Sequence, residues 1–201
     1  MEQKITDLIE ETIKSLGFEL VKVNVHGGSS MKIVEILIEN IDENVKIHVG
    51  DCQLVSKNIS AILDVEDIIP GKYFLEVSSA GIERPLTKLT DYIKFSGKEV
   101  KIRLKTPFNG NLSFKGKLLG LGDSEGNSVE FDPRSENQGG ENYADKSLQG
   151  DDSAPVSYNV KLQSKNIVLA FDYDNIKSAK LTLTDEMFRD ILNKKPTIKE
   201  N

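Results

Sequence analysis

The sequence has very little cysteine, histidine or tryptophan: one cysteine, two histidines and no tryptophan occur among its 201 residues. A single cysteine excludes a disulfide within the chain and is typical of a protein kept in a reducing compartment such as the cytoplasm. One cysteine and two histidines also provide too few ligands at useful spacing for a zinc site. We therefore expect no metal site and no cofactor.

Long hydrophobic runs are missing as well. No stretch approaches the roughly 20 apolar residues that a membrane-spanning helix needs. The first residues, MEQKITDLIEE, are acidic and amphipathic, unlike a secretory signal. We expect a cytoplasmic protein that does not enter a membrane. Hydrophobic residues make up 38% of the chain, which is enough for the core of one large domain or two small ones.

Charge is distributed unevenly along the chain. The formal net charge of −6 argues against a simple nucleic-acid coat. Residues 1–90 carry nine basic and fifteen acidic side chains, whereas residues 91–201 carry seventeen of each. This asymmetry suits a factor that contacts a basic protein with one part and RNA with another. It equally suits two ordinary solvated surfaces, so the charges alone leave both interpretations open.

The first part of the chain combines helix and strand periodicity. The predicted elements are a helix over residues 5–16, strands over 18–25 and 33–38, a helix starting near Gly50-Asp51 and a buried strand from Tyr73. The third strand is reached across a helix, so it can pair in parallel with one of the first two. A three-stranded sheet covered by two helices is the expected result.

The second part has the period of two that is typical of strands. A short helix over residues 88–95 precedes predicted strands over 100–104, 112–121, 128–131, 157–162 and 167–171. Five short strands joined by polar turns favour a small β-barrel. The polar, acidic residues 133–156 interrupt it and are expected to be a disordered insertion. We thus predict an α/β domain with linker over 1–90, a barrel over 91–183, and a helix with a tail over 184–201.

Residues 73–86, YFLEVSSAGIERPL, are the most informative stretch. Strand alternation ends at two serines, and Gly81 permits backbone angles that other residues avoid. Pro85 disfavours continued strand pairing and biases Arg84 toward an extended conformation. A rigid turn that carries an acid and a base directly after a strand suggests either a joint between two domains or a binding edge.

This stretch resembles the sequence LEVSSPGLERPL of the bacterial ribosome maturation factor RimP family. The matching residues are Leu75, Glu76, Val77, Ser78, Ser79, Gly81, Glu83, Arg84, Pro85 and Leu86, with Ile82 a conservative change. Ala80 departs from the pattern, because the family has proline there. Asp51-Cys52, Val55-Ser56 and residues 63–67 and 71–73 form a second matching block. The resemblance covers about residues 1–132 and 157–181.

The resemblance implies an α+β fold: an N-terminal KH-like domain, a small Sm-like β-barrel of the Src-homology-3 type, and a C-terminal helix. RNA-binding KH domains use a G-x-x-G loop between helices. Here Gly27-Gly28 lies between predicted strands, so the resemblance does not extend to that mode of RNA binding. It implies a non-enzymatic factor that matures the 30S subunit, and we expect the protein to be a monomer. Its partners would be immature subunits, 16S rRNA and the basic small-subunit protein number twelve.

Two groups of side chains are candidates for binding. The resemblance implies that one group positions the two domains or contacts a partner: Ser78, Ser79, Gly81, Glu83, Arg84 and Pro85. The other group is basic and is expected on one face of two neighbouring strands without an intervening acid: Lys101, Arg103, Lys105, Lys115 and Lys117. These five charges suit RNA phosphates, or they protect an exposed strand from edge pairing. Phe108 and Phe114 are poorly placed for base stacking.

Two other functions stay open. A stand-alone Sm-like RNA-binding module would bind free RNA with a steep salt dependence. A hydrolase would use Ser78 or Ser79, but the flanking residues lack the glycine spacing of a nucleophile elbow. The two histidines, His26 and His48, lie in no recognisable motif, so a base for either serine is not evident. Cys52 is expected to be a small core side chain.

Overall fold

The computed structural model describes residues 1–28, 31–42, 44–122, 128–129 and 158–183. Within these ranges the fold is α+β, with helices and sheets in two compact units, Met1–Gly81 and Ile82–Asn201. None of the helices in these ranges is both long and apolar enough to span a bilayer. The insertion predicted over 133–156 and the C-terminal helix and tail predicted over 184–201 lie outside the described residues.

The first unit has the predicted order of elements. They are α1 (Glu2–Ser15), β1 (Phe18–Gly27), β2 (Lys32–Asn40), α2 (Val49–Glu66) and β3 (Tyr73–Ser79). β1 pairs antiparallel with β2, and β3 pairs parallel with β2, so the strand order is β1-β2-β3. The expected mixed sheet is therefore confirmed.

Both long helices cover the same face of this sheet. Ile5, Ile9 and Ile13 recur at helical spacing on α1 and are completely buried. They share one core with Val55, Ile59 and Leu63 of α2 and with Val34, Ile36 and Ile38 of β2. Burial of each such side chain contributes about 1.5–3 kcal/mol, so this shared core is the main source of the unit's stability. The intervening residues of the strands face away from the helices.

β3 is an edge strand, and the prediction of an ordinary buried strand is wrong for it. Leu75 and Val77 pack against the core but are only partly buried, and 58% of the Phe74 side chain is exposed. The reason is topological, because the sequence does not reveal that β3 has a neighbour on one side only.

The ends of α2 are fixed by two carboxylates. At its start, Asp51 Oδ2 accepts a hydrogen bond from the His48 backbone N–H at 2.7 Å, as expected for an acid in the first turn. Near its end, Asp64 Oδ1 accepts a hydrogen bond of 2.7 Å from the hydroxyl of Tyr73. Burial, assisted by this carboxylate, raises the pKa of Tyr73 to about 12. Asp64 thus ties α2 to β3.

The second unit is built mainly of strands. Its elements are β4 (Pro85–Leu86), α3 (Leu89–Lys94), β5 (Glu99–Phe108), β6 (Asn111–Gly122), β7 (Ser128–Val129), β8 (Asn159–Ser164), β9 (Ile167–Asp172) and β10 (Ile176–Leu181). The strand order is β4-β10-β5-β6-β8-β9, with β7 on β6. Alternate residues of β5, β6 and β8 enter a second core, among them Val100, Ile102, Leu104, Leu118, Val160 and Leu162.

The sheet of the second unit is not a closed barrel in the described part of the chain. Its strand path begins at β4 and ends at β9, and these two strands do not pair there. The sequence prediction also missed β10 and β4. β10 contains lysines and few large apolar residues, so its alternation is weak. β4 can form although it contains a proline, because Pro85 is its first residue, a position where a strand tolerates proline.

Residues 82–90 group with the second unit, although the sequence suggested a linker attached to the first. Leu86 is buried in the second core, where it pairs with Ala179 of β10. The chain therefore passes from one unit to the other next to Gly81.

A tight turn joins β5 and β6. Asn109 and Gly110 have φ angles of 48° and 78°. Positive angles at both central residues are typical of a type I′ hairpin turn, for which Asn-Gly is the preferred sequence. β5 continues through Phe108 up to this turn. The register shifts between Arg103 and Phe108, and beyond the shift the basic residues of β5 and β6 lie opposite each other at Lys101 and Lys115.

Candidate functional site

The first half of the segment over residues 73–86 ends β3. Ser78 and Ser79 are exposed, and the N–H of Ala80 donates to the Ile38 carbonyl at 3.0 Å, which is the last bond of the ladder. Gly81 follows with a φ of +66°, in the left-handed region that disfavours side chains. A Cβ atom at this position would meet no heavy atom within 4 Å. The backbone angle alone therefore requires glycine here.

The second half of the segment is anchored by a buried ion pair. Arg84 is only 5% exposed, and its Nη1 lies 2.9 Å from Oδ1 of Asp91 in α3. The guanidinium also donates to the Pro85 carbonyl at 2.9 Å and lies over the Phe95 ring, with its Cζ 4.8 Å from the ring centroid. The Arg84 charge is thus enclosed by its own unit and has a carboxylate, a carbonyl and an aromatic face as neighbours.

Asp91 has a hydrogen-bond partner for each of its two oxygens. Oδ1 faces Arg84, and Oδ2 accepts the backbone N–H groups of Thr87 and Lys88 at 2.7 and 2.9 Å. These N–H groups belong to the residues that precede α3, so the same carboxylate both caps the helix and binds Arg84. A weak signal for this role is present in the sequence, namely an acid three residues after the start of a short predicted helix.

Glu83 and Pro85 attach the same segment to β10. Glu83 Oε2 lies 2.7 Å from Nζ of Lys180, and Pro85 is the strand partner of Lys180. The N–H of Leu181 donates to the Arg84 carbonyl at 2.9 Å. Of the six residues proposed for this segment, the first three therefore end the first unit, and the last three belong to the framework of the second.

The basic side chains occur together on the second unit, as their spacing predicts. Lys101 and Arg103 alternate with buried residues on β5 and are exposed. Lys115 lies directly opposite Lys101 on β6, and Lys117 lies opposite Glu99. The expectation of no intervening acid is wrong, because Glu99 shares this face. Lys105 is also exposed, and its Nζ donates to the Asp174 carbonyl at 2.6 Å.

One further lysine, which the sequence prediction missed, extends this surface. Lys180 of β10 lies directly opposite Lys101. We name the three residues that the two registers align, Lys180, Lys101 and Lys115, the lysine row. Glu83 lies 2.7 Å from Lys180 Nζ and offsets that charge, whereas Lys101 and Lys115 face each other, and like charges directly opposite destabilise an antiparallel pair. A bound anion would relieve that cost for Lys101 and Lys115.

The position of β5 excludes edge protection as the reason for its basic residues. β5 lies between β10 and β6 and hydrogen-bonds to both, so it has no free edge. Nearby aromatic rings are arranged for packing. Phe114 and Phe171 lie 4.7 Å apart between centroids, and Phe108 packs edge-on against both. Within the described ranges these rings contact one another, so this surface presents mainly charge to a ligand.

Catalytic and metal-binding arrangements are not seen in the described ranges. Neither Ser78 nor Ser79 hydrogen-bonds a histidine side chain there, and no group of three or more His, Cys, Asp or Glu side chains could hold a metal ion. Burial and the neighbouring Asp51 raise the pKa of Cys52, so its thiol stays protonated.

We predict that Asp91→Ala strongly destabilises the second unit. The substitution leaves the Arg84 charge buried without the Asp91 carboxylate and removes the side chain that caps α3. Loss of one member of a buried pair typically costs about 3–5 kcal/mol. Urea unfolding followed by circular dichroism measures the loss. The double variant Arg84→Met, Asp91→Leu should lose less, because it leaves no unpaired charge. A loss below about 1 kcal/mol for Asp91→Ala would contradict the anchoring role.

Residues 8–83 match the family described as the RimP N-terminal domain. The match begins within α1, covers β1, β2, α2 and β3, and ends at Glu83, directly before the buried Arg84. The match and the RimP-like residues 75–86 support the same assignment. The first unit of the chain therefore belongs to the RimP N-terminal domain family.

Proposed function

We propose that the protein is a non-enzymatic assembly factor of the small ribosomal subunit, acting in the cytoplasm on immature 30S subunits. The observation that carries this proposal is the match of residues 8–83 with the RimP N-terminal domain. Contacts with 16S rRNA and with a ribosomal protein would hold the factor on the subunit. We further propose that the two units are related to KH-like and Sm-like domains, on the basis of their element orders.

The proposed RNA contact is the basic face of the second unit. Lys101, Arg103, Lys105, Lys115 and Lys117 are its candidate residues, and the lysine row adds Lys180. Side chains held in register by three adjacent strands suit phosphates that follow one another along a backbone. Such contacts give affinity and position without base recognition, which agrees with the packed phenylalanines beside them.

The proposed protein contact is the acidic first unit. Residues 1–81 carry seven basic and fourteen acidic side chains, so a positively charged partner is attracted to this part of the chain. The basic small-subunit protein number twelve, which the family resemblance implies, is the partner that we propose. A monomer with two differently charged units would bind RNA and protein at the same time.

An assembly factor must distinguish immature from mature subunits. A ligand with equal affinity for two states shifts neither, however tightly it binds. We propose that the factor binds an incompletely folded rRNA region or a ribosomal protein that has not reached its mature position. The factor dissociates when the mature arrangement of the subunit removes its contacts with these partners. Ser78, Ser79, Gly81, Glu83, Arg84 and Pro85 serve this function by fixing the conformation of the chain where it passes between the units.

A stand-alone RNA-binding module is the second candidate function. The lysine row favours it, because an anion-binding surface of this kind can act on RNA that contains no protein. The hydrolase hypothesis has less support, since neither serine has a histidine partner in the described ranges. The two RNA hypotheses differ in whether free RNA or the immature subunit is bound more tightly.

We predict that Gly81→Val impairs binding to immature subunits while each unit remains folded. An L-residue at this positive φ costs about 1–2 kcal/mol, and a β-branched residue costs at least as much. Filter binding with purified immature subunits measures the affinity, and circular dichroism confirms folding. Gly50→Val is the matched control, because Gly50 lies in the first turn of α2 without a positive φ. Unchanged binding by Gly81→Val would refute the role given to this segment.

We predict that the triple variant Lys101→Ala, Arg103→Ala, Lys115→Ala weakens binding to subunits and reduces its salt dependence. The slope of log K against log salt concentration should fall by about 0.7–0.9 for each lost phosphate contact. Lys4→Ala, Lys14→Ala, Lys57→Ala removes the same charge from exposed helix positions of the first unit and serves as control. Equal slopes for the two triple variants would show that net charge, and not this face, determines binding.

A further inference from the structure

The two outer strands of the first sheet are protected to different degrees. β1 has a register shift between Leu20 and Lys22, and the outward N–H of Val25 donates to Glu2 Oε1 at 2.8 Å. Bulges and side chains that occupy edge groups prevent unwanted strand pairing. β3 has no such device: its seven residues pair with β2 in continuous register and include no proline or lysine.

Backbone hydrogen-bonding groups of β3 point toward its outer edge. The ladder to β2 ends with the bond from the Ala80 N–H to the Ile38 carbonyl. Alternate residues of a strand bond to the same neighbour, so the even-numbered residues of β3 bond to β2. The N–H and C=O groups of Tyr73, Leu75 and Val77 therefore face outward. Within the described ranges, no other strand pairs with this edge.

The side chains beside this edge are accessible to solvent. Leu75 and Val77 are only partly buried, although Ile36 on the same face of β2 is 0% exposed. On the face without helices, Phe74 is 58% exposed and Glu76 is exposed as well. An approaching strand would thus meet open backbone groups next to one aromatic and one acidic side chain.

The charge of the surface beside β3 determines which additional strand can bind there. Glu76 lies opposite Glu35 of β2, so two carboxylates are adjacent on the helix-free face. A second copy of β3 would bring another glutamate to this surface, which is unfavourable, whereas lysine or arginine would be attracted. Phe74 lies opposite Ile33 and forms an apolar site two residues from Glu76. The edge therefore suits an extended segment with a basic and an apolar residue at alternate positions.

We propose that the outer edge of β3 binds an extended lysine- or arginine-rich polypeptide segment as an additional strand. This inference rests on the proposed function, which supplies a basic ribosomal protein as the class of partner. Main-chain hydrogen bonds to Leu75 and Val77 provide affinity, as in other cases of strand addition. Glu76 and Phe74 select the side chains of the bound segment.

The test uses the full-length chain labelled with ¹⁵N and a short synthetic peptide. In this peptide valine and lysine alternate at every second position, with threonine between them. We expect shifts of the amide resonances of Tyr73, Leu75 and Val77 on titration. Glu76→Lys should weaken binding by about tenfold or more. A peptide with glutamate in place of lysine should bind the wild-type protein less tightly by a similar factor.

Matched controls lie on α2 of the same unit. Glu66→Lys makes the same charge change at an exposed position, and Val65→Ser removes an apolar side chain that is 82% exposed. Both should bind the peptide like the wild-type protein, whereas Phe74→Ser should bind it more weakly. Equal losses for Glu76→Lys and Glu66→Lys, or shifts confined to residues outside β3, would overturn the proposal.

Binding to immature subunits separates this inference from the proposed function. If wild-type protein binds subunits and Glu76→Lys binds them equally well, the edge proposal is wrong and the assembly role stands. If wild-type protein binds the peptide through β3 but does not bind subunits, the edge is supported and the assembly role is wrong.

Discussion

The buried pair of Arg84 and Asp91 is the interaction on which the candidate site depends. It holds the chain that follows Gly81 against α3, and the neighbouring Pro85-Leu86 pairs with β10. β10 in turn pairs with β5, where Lys180 lies opposite Lys101. One ion pair thus helps to set both the start of the second unit and the alignment of its basic face. A buried pair of this kind contributes to a defined geometry more than to stability.

The two units have complementary physical properties. The first presents acidic side chains and a strand edge with unpaired backbone groups in the described ranges, whereas the second presents aligned lysines on a continuous sheet. Strand addition needs open main-chain groups, and phosphate binding needs fixed positive charges. A protein with both surfaces could bind a basic polypeptide and RNA through separate units, which agrees with the function that we propose.

Much of the fold follows from local patterns in the sequence. The spacing of Ile5, Ile9 and Ile13 predicts α1, and Asn109-Gly110 predicts the hairpin turn, because both depend on residues close in the chain. The sequence does not predict β10, because its lysines obscure the alternation of polar and apolar residues. The roles of Asp91 and Lys180 are not predicted either, because they arise from contacts between segments that are distant in the chain. The barrel was expected from five short strands with polar turns and from the family resemblance, whereas closure depends on which strands pair.

The central claim is that the protein acts on immature small subunits, and sedimentation tests it most directly. The tagged wild-type protein would be followed through a salt-controlled gradient of cell extract. We predict that the tagged protein accumulates with free small subunits and is absent from joined ribosomes. A peak only at the top of the gradient, with small RNA or nothing bound, would contradict the account and favour a stand-alone RNA-binding module.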